Sequence, residues 1–173
     1  MAQLLKEPVG SERTYKIDEN DLVISLENDS FQGLKGRVRL MRTDKGVLTK
    51  ADLDSTASCT CSRCLGACLQ PIHIRLEEEF FPTIHVDTGL KMDLSQVDEE
   101  DFLIDRNHIL DMTEAIRQYA IVAMPMKPLC REECAGLCPS CGANLNEQSC
   151  RCSKSQRDPS WGPLSEILSR SDS

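Results

Sequence analysis

The chain has 173 residues, ten cysteines and a formal net charge of −8. This length suits one or two small domains. The acidic total argues against nonspecific coating of nucleic acid, which needs clustered Lys and Arg, although it permits a local basic face. The sequence contains no signal-peptide apolar core and no run long enough to span a bilayer. We therefore expect a cytoplasmic protein without membrane contact, whose reduced cysteines serve as metal ligands.

Alternation of apolar and polar residues predicts three strands in the first half of the chain. The segment Gly33–Arg42 alternates in period two, and a turn at Lys45–Gly46 leads into a second alternating segment, Val47–Cys61. A third strand includes Ile72–Glu77, and the short apolar run Leu22–Ile24 is also compatible with a strand. Such alternation favours an antiparallel sheet with one face in water.

The first of these strands carries the densest cluster of positive charge in the sequence. Lys35, Arg37 and Arg39 share one of its faces. One interpretation is a solvated strand face, and the other is contact with nucleic-acid phosphates. A second, smaller basic cluster follows the cysteine-rich segment. The candidate nucleic-acid contacts are Lys35, Arg37, Arg39, Arg42, Arg151 and Arg157.

Helical spacing of apolar residues predicts one main helix that begins near Asp111. Asp111 can cap its N-terminus, and Glu114 three residues later completes a capping-box pattern. The apolar side that follows is expected to pack on the sheet, and Pro125 ends the helix. Ahead of the helix, the acidic run Asp98–Asp101 suits a solvated loop, or contact with a metal or a basic partner. No carboxylate pair has an activating neighbour, so acid–base catalysis is not indicated.

The cysteine-rich segment from Cys130 to Cys152 predicts a zinc site. Its thiols are Cys130, Cys134, Cys138, Cys141, Cys150 and Cys152. Because four thiolates satisfy a tetrahedral Zn²⁺, one ion leaves two thiols over, unless two ions share ligands. In an extended strand the sulfurs of Cys150 and Cys152 would lie roughly 7 Å apart, so we favour Cys150 alone and expect close to one zinc per chain. The alternatives are a disulfide cluster and uncoordinated thiols.

A second pair of thiols, Cys61 and Cys64, lies at the turn after the second predicted strand. The Cys-x2-Cys spacing is typical of a metal-binding turn, so a second zinc is possible there with Cys59 and Cys68. Alternatively, Cys61 and Cys64 lie close to the C-terminal cysteines. Cys59 and Cys61 also belong to an apolar strand face, where a thiol behaves as a small hydrophobic side chain.

The predicted fold is α+β, with an antiparallel sheet packed against one main helix. We assign residues 1–128 to this core domain, 129–153 to the zinc-binding segment and 154–173 to a C-terminal tail. The tail contains a short helix that begins at Asp158 and Pro159 and carries Trp161 on its apolar side.

Several motifs, in this order, resemble the bacterial and plastid YceD family. They are Leu-Leu-Lys-Glu-Pro-Val-Gly near the start, Cys-Ser-Arg-Cys-Leu at 61–65, Met-Pro-Met-Lys-Pro-Leu-Cys after the helix, Gly-Leu-Cys-Pro-Ser-Cys-Gly-Ala-Asn-Leu-Asn, and Asp-Pro before a Leu-rich end. The likeness covers nearly the whole chain. The sequence departs from the family pattern at Ser160, where the family often has Arg.

The resemblance implies a role in accumulation of the large-subunit (23S) ribosomal RNA, hence in ribosome biogenesis, without enzymatic activity or a small-molecule substrate. It also implies that the zinc-binding segment is an accessory to folding, because some members lack most of its cysteines. The expected partner is ribosomal RNA or a ribosomal protein. A zinc-stabilised adaptor that binds proteins and does not touch RNA is the alternative. A thiol-based enzyme is disfavoured, because all-thiolate zinc sites leave no open position for water.

Overall fold

A computed structural model of the protein describes residues 2–25, 30–93 and 102–152. They form a five-stranded sheet in the order β1-β2-β3-β4-β5, antiparallel except for the β4–β5 pair, with one main helix. The elements are α1 (Ala2–Lys6), β1 (Glu12–Ser25), β2 (Ser30–Arg42), β3 (Val47–Thr60), β4 (Ala67–Pro82), β5 (Phe102–Ile104) and α2 (Thr113–Ala123). The predicted α+β fold with one main helix is confirmed.

The chain forms two compact units. The sheet unit contains all the helices and strands above and consists of residues 1–61 and 66–130. The cysteine-rich unit joins residues 62–65 to the chain from residue 131 onward. The predicted boundaries at 128 and 153 stay predictions. The predicted tail with Trp161, and the acidic run Asp98–Asp101, lie outside the described residues.

The core of the sheet unit is mainly aliphatic and lies on one face of the sheet. Alternate residues of β2, β3 and β4 are buried there, as the period-two pattern predicts. Helix α2 adds Ala115, Ile116 and Ala120 to this core, and α1 adds Leu4 and Leu5. Among the described residues, no helix has the length and apolar character needed to cross a bilayer.

Two strands differ from what the sequence pattern indicates. β1 has 14 residues, whereas only Leu22–Ile24 suggested a strand. Most of β1 is exposed because it is an edge strand, so it has no apolar alternation to reveal it. The apolar triplet Phe102–Ile104 is a fifth strand, parallel to β4, and its Phe102 ring stacks on Phe80 at 5.2 Å between centroids.

The start of α2 also differs in detail from the predicted capping box. The Asp111 carboxylate accepts a hydrogen bond from the Thr113 N–H at 2.9 Å. The side-chain hydroxyl of Thr113, and then this N–H, lower the pKa of Asp111. Glu114, however, does not reach back to the helix start, and its carboxylate accepts hydrogen bonds from Arg117 and Gln118 instead. An acidic residue in the first turn still faces the positive end of the helix dipole.

Candidate metal centres and basic sheet face

Eight of the ten cysteines form two groups of four that can each hold a metal ion. The first cysteine group is Cys61, Cys64, Cys130 and Cys134, and the second is Cys138, Cys141, Cys150 and Cys152. Within each group the sulfur atoms all lie within 4.8 Å of one another. Zn²⁺ bound to four thiolates at about 2.3 Å places the sulfurs about 3.8 Å apart. Both donor sets therefore fit a tetrahedral, thiophilic ion such as Zn²⁺.

The six thiols of the predicted zinc segment are thus divided between the two groups. Cys130 and Cys134 join Cys61 and Cys64, the arrangement that the sequence allowed as an alternative to a site with Cys59 and Cys68. The second group contains both Cys150 and Cys152, whereas the sequence favoured Cys150 alone. The expectation of one ion with two thiols left over therefore differs from the geometry, which offers two complete sets.

The second cysteine group is built around the Cys138–Cys141 turn. The Cys138 N–H donates to the carbonyl of Ala143 at 2.8 Å, and the Gly142 N–H donates to the carbonyl of Cys138 at 2.9 Å. Gly142 has φ of 71°, a left-handed conformation that a side chain would disfavour. These bonds fold the turn so that both of its sulfurs face the same point.

Hydrogen bonds in the second group shift the pKa values of its thiols in opposite directions. Backbone N–H groups of Cys141 and Ser140, with the Cys150 thiol, lower the pKa of Cys138 to about 6. The hydrogen bond to Cys141 is the main reason that the pKa of Cys152 rises to about 12. Because metal ligation needs thiolates, binding a cation here expels protons.

The turn that contains Cys64 is fastened within the cysteine-rich unit by Arg63. The Arg63 guanidinium donates to the carbonyls of Glu132 at 3.2 Å and Cys134 at 3.1 Å. The Arg63 carbonyl accepts the N–H of Leu137 at 3.1 Å. Gly136 allows this approach, because a Cβ there would lie 3.1 Å from the Arg63 carbonyl oxygen. Arg63 therefore holds the Cys64 turn against the chain that carries Cys134.

Two asparagines that the sequence analysis did not single out position the Cys134 thiol. The Asn146 amide donates to the Cys134 sulfur at 3.3 Å, and its oxygen accepts hydrogen bonds from Ala135 N–H at 2.9 Å and Arg131 at 2.7 Å. Asn144 accepts hydrogen bonds from both the backbone and the side chain of Asn146. Hydrogen bonds of this kind fix the orientation of metal ligands. In the sequence, the feature that could have indicated these two residues is Asn-Leu-Asn, which follows the Cys138–Cys141 turn.

The remaining cysteines, Cys59 and Cys68, face each other across β3 and β4. Their sulfurs are 3.2 Å apart, and both side chains are buried. Neither belongs to the two groups of four, and all ten cysteines are thiols. Burial on the strand face fits the interpretation of Cys59 as a small hydrophobic side chain.

The face of the sheet opposite the core, here called the outer face, carries the basic strand. Lys35, Arg37 and Arg39 are exposed on it, as the alternation in β2 predicts. Arg42 is half-buried, and its guanidinium donates to the carbonyls of Thr43 at 2.5 Å and Gly46 at 2.8 Å, so it fastens the β2–β3 turn. Arg151 is exposed, and Arg157 lies outside the described residues.

Comparison with known proteins places the chain in a family. The model of the family described as "Large ribosomal RNA subunit accumulation protein YceD" matches residues 49–168. No solved structure matches the chain.

An uncharacterised protein of Mycobacterium tuberculosis is 29% identical over 133 residues, which are 76% of this chain and 60% of that protein. An uncharacterised protein of Mycobacterium leprae is 26% identical over 138 residues, 76% of this chain and 57% of that protein. The chain thus spans about 60% of the length of these relatives.

The chloroplastic protein "Large ribosomal RNA subunit accumulation protein YCED homolog 1" of Arabidopsis thaliana is 33% identical over 58 residues, 34% of this chain and 18% of that protein. The family model covers β3 from its third residue onward, β4, helix α2 and every cysteine of the chain. On the strength of that match, this chain belongs to the YceD family.

Proposed function

We propose that this protein is a non-enzymatic factor that supports accumulation of the large-subunit (23S) ribosomal RNA, and hence of the large ribosomal subunit, in the cytoplasm. The observation that carries the proposal is the family match over residues 49–168, in a family named for this role. The Arabidopsis relative carries the same description. The protein acts by contact with ribosomal RNA or a ribosomal protein.

In this proposal the two cysteine groups are structural Zn²⁺ sites. Cys61, Cys64, Cys130 and Cys134 would hold one ion, and Cys138, Cys141, Cys150 and Cys152 the other. Zinc supplies a rigid crosslink between chain segments and, with four thiolates around it, has no open position for a reactive water. A pair of closed sites therefore supports a scaffold that presents a surface, rather than a hydrolytic or redox enzyme.

Depletion of the protein in the cells that encode it tests the proposal. We expect the ratio of 23S to 16S ribosomal RNA to fall, together with the large-subunit peak in a sucrose gradient, and to recover when the parent chain is supplied. A Cys138→Ser/Cys141→Ser variant should restore the ratio poorly, because it lacks two ligands of one site. An unchanged ratio after depletion would refute the proposed function.

The alternative function is a zinc-stabilised adaptor that holds a basic protein without touching RNA. The net charge of −8 favours it, and the acidic run Asp98–Asp101 is its candidate contact. Replacing these four residues with Asn or Gln should then remove a basic ribosomal protein from a pull-down while any RNA affinity stays the same. If the neutralised variant loses no protein partner, the adaptor function is refuted.

A further inference from the structure

The outer face of the sheet carries four cations that have no partner among the described residues. Paired residues on adjacent strands share a face, and this places Lys16 beside Arg37, and Arg37 across Asp52 from Arg75. Arg39 lies two residues beyond Arg37 on β2. Lys16, Arg37, Arg39 and Arg75 are all exposed, and none makes an ion pair or side-chain hydrogen bond within residues 2–25, 30–93 and 102–152.

Neighbouring charges on the same face behave differently. Lys35 pairs with Asp18 at 3.5 Å, and Lys50 pairs with Glu77 at 2.6 Å. Asp52, which lies between Arg37 and Arg75, has its carboxylate 3.3 Å from the His73 ring. Asp18 and Glu77 are thus paired with other cations and Asp52 contacts His73, whereas Glu12, on the same face of β1, makes no such contact. The four cations of this face without an ion pair among the described residues, here called the basic array, are Lys16, Arg37, Arg39 and Arg75.

The pairing of these residues works against the stability of the sheet. Lys16 lies directly opposite Arg37, and Arg39 directly opposite Lys50. Like charges directly opposite each other on adjacent strands are destabilising. Arg37 also lies opposite Asp52, which offsets part of this cost, whereas Lys16 and Arg39 have no acidic residue directly opposite them. A bound anion would remove this cost.

The shape of the surface fits an extended anion rather than a small ligand. Arg37, Arg39 and Arg75 line an open hollow of about 610 Å³. The hollow is also lined by Thr14, Lys50, Ala51, Asp52, Leu76, Glu77 and Tyr119, so cations outnumber acidic residues there by four to two. Small-molecule sites are predominantly apolar and enclosed, whereas this hollow is walled by charged and polar side chains.

We propose that the basic array binds the sugar–phosphate backbone of RNA. Three of its four members are arginines, whose planar guanidinium groups match phosphate oxygens with paired hydrogen bonds. The Cα atoms of Arg37 and Arg39, two residues apart on one strand, are separated by roughly 6.6 Å, and the neighbouring strands extend the row across the sheet. The contact is with phosphates, so it positions RNA without selecting its sequence. This inference rests on the proposed function and names the surface through which it acts.

The test compares two variants with the same change in net charge. The array variant carries Lys16→Gln, Arg37→Gln, Arg39→Gln and Arg75→Gln. The control carries Lys45→Gln, Lys91→Gln, Arg106→Gln and Lys127→Gln, four exposed residues that lie on none of the strands. Binding of transcribed 23S fragments and of poly(U) is measured by fluorescence anisotropy between about 50 and 200 mM KCl, the range in which phosphate contacts are most salt-sensitive.

The array variant should lose affinity by about a hundredfold or more at low salt, with a salt slope shallower by about 3, since each phosphate contact contributes close to one unit. The control variant should bind within a few-fold of the parent protein. Equal losses in both variants, or an unchanged slope in the array variant, would overturn the proposal. So would retained RNA affinity together with loss of an acidic protein from a pull-down.

Folding is checked on the same samples. The array variant should melt within a few degrees of the parent protein, because it removes two like-charge oppositions together with the opposite-charge pairs that Arg37 and Arg75 form with Asp52. If it melts lower, the single variant Arg75→Gln decides the question, and its salt slope should be shallower by about 1. The binding experiments and the depletion experiment are independent of each other. If the basic array does not bind RNA, the ratio of 23S to 16S RNA after depletion still tests the proposed function.

Discussion

The sheet unit and the cysteine-rich unit are held together by different physical means. In the sheet unit, a continuous set of apolar side chains from all five strands and both helices is buried on one face of the sheet. In the described part of the cysteine-rich unit, residues 62–65 and 131–152, the only buried side chains are Cys134 and Cys138. This described part of the cysteine-rich unit therefore has almost no apolar core of its own.

This difference shows where each unit obtains its stability. Burial of apolar surface contributes about 25 cal/mol per Å², so a large core is enough for the sheet unit. A short stretch of chain with so few buried side chains seldom buries enough surface to fold alone, and very small units usually need a metal or a crosslink. The two groups of four thiols supply the means of such a crosslink. Metal removal should therefore affect one unit and leave the other folded.

The largest expected effect is the loss of structure in the cysteine-rich unit when metal is removed. Structural Zn²⁺ contributes about 10–16 kcal/mol in small zinc-binding peptides. Elemental analysis should find two Zn²⁺ per chain, one for each cysteine group. After chelation, amide resonances of residues 131–152 should collapse to unfolded positions while those of β2, β3 and β4 remain dispersed.

Cys68→Ala provides the control for this experiment, because Cys68 belongs to neither group of four. This variant should keep both ions, whereas Cys141→Ser should lose one. A metal-free protein with unchanged resonances for residues 131–152 would contradict the assignment of these thiols as ligands.

The second effect concerns the apolar core. Phe80 is fully buried and its ring stacks on Phe102. Phe80→Ala should lower the free energy of unfolding of the sheet unit by about 3–5 kcal/mol, measured by urea denaturation. Leu103→Ala, which changes a 44% exposed residue of the neighbouring strand, should cost less than about 1 kcal/mol. Equal costs would mean that the Phe80 ring is not part of the stabilising core.

The sequence predicts the sheet core well because strand periodicity is a local property. All the odd positions of β3, from Val47 to Cys59, are buried, as alternation requires. Edge strand β1 cannot be predicted in this way. Water reaches most of its residues, so packing does not select apolar side chains there. The parallel strand β5 cannot be predicted from periodicity either, because its three residues are too few to show a period.

The cysteine-rich segment is predictable as a metal site but not in its pairing. Spacing identifies the Cys138–Cys141 turn, since both ligands lie within four residues. The association of Cys61 and Cys64 with Cys130 and Cys134 depends on contacts between residues far apart in the chain, about which local spacing says nothing. The same holds for Asn146, whose role depends on its approach to the Cys134 sulfur.

A smaller effect is expected at Asn146. Asn146→Ala removes the N–H donor to Cys134, and loss of such a ligand-orienting bond typically weakens metal affinity by about 10–100-fold. Titration with a competing chelator should then show one ion leaving earlier than in the parent protein and the other leaving unchanged. Asn107→Ala, at a turn of the sheet unit, is the matched control and should alter neither ion. Parallel weakening of both ions would show a general loss of folding instead.

The smallest effect is expected at Glu114, on the surface of the sheet unit. The Arg117 guanidinium donates hydrogen bonds to the Glu114 carboxylate at 2.6 and 2.8 Å. These bonds, together with one from Gln118, lower the pKa of Glu114 from 4.5 to about 2. Because the pKa is lower in the folded protein than in the unfolded chain, the stabilisation is fully present above pH 4.5 and is lost as the pH falls towards 2. Glu114→Gln should therefore lower the melting temperature slightly at pH 7 and leave it unchanged near pH 2. Glu12→Gln, on an exposed carboxylate without a side-chain partner among the described residues, should show no such pH-dependent difference. An equal decrease for Glu114→Gln at both pH values would mean that its carboxylate charge does not stabilise α2.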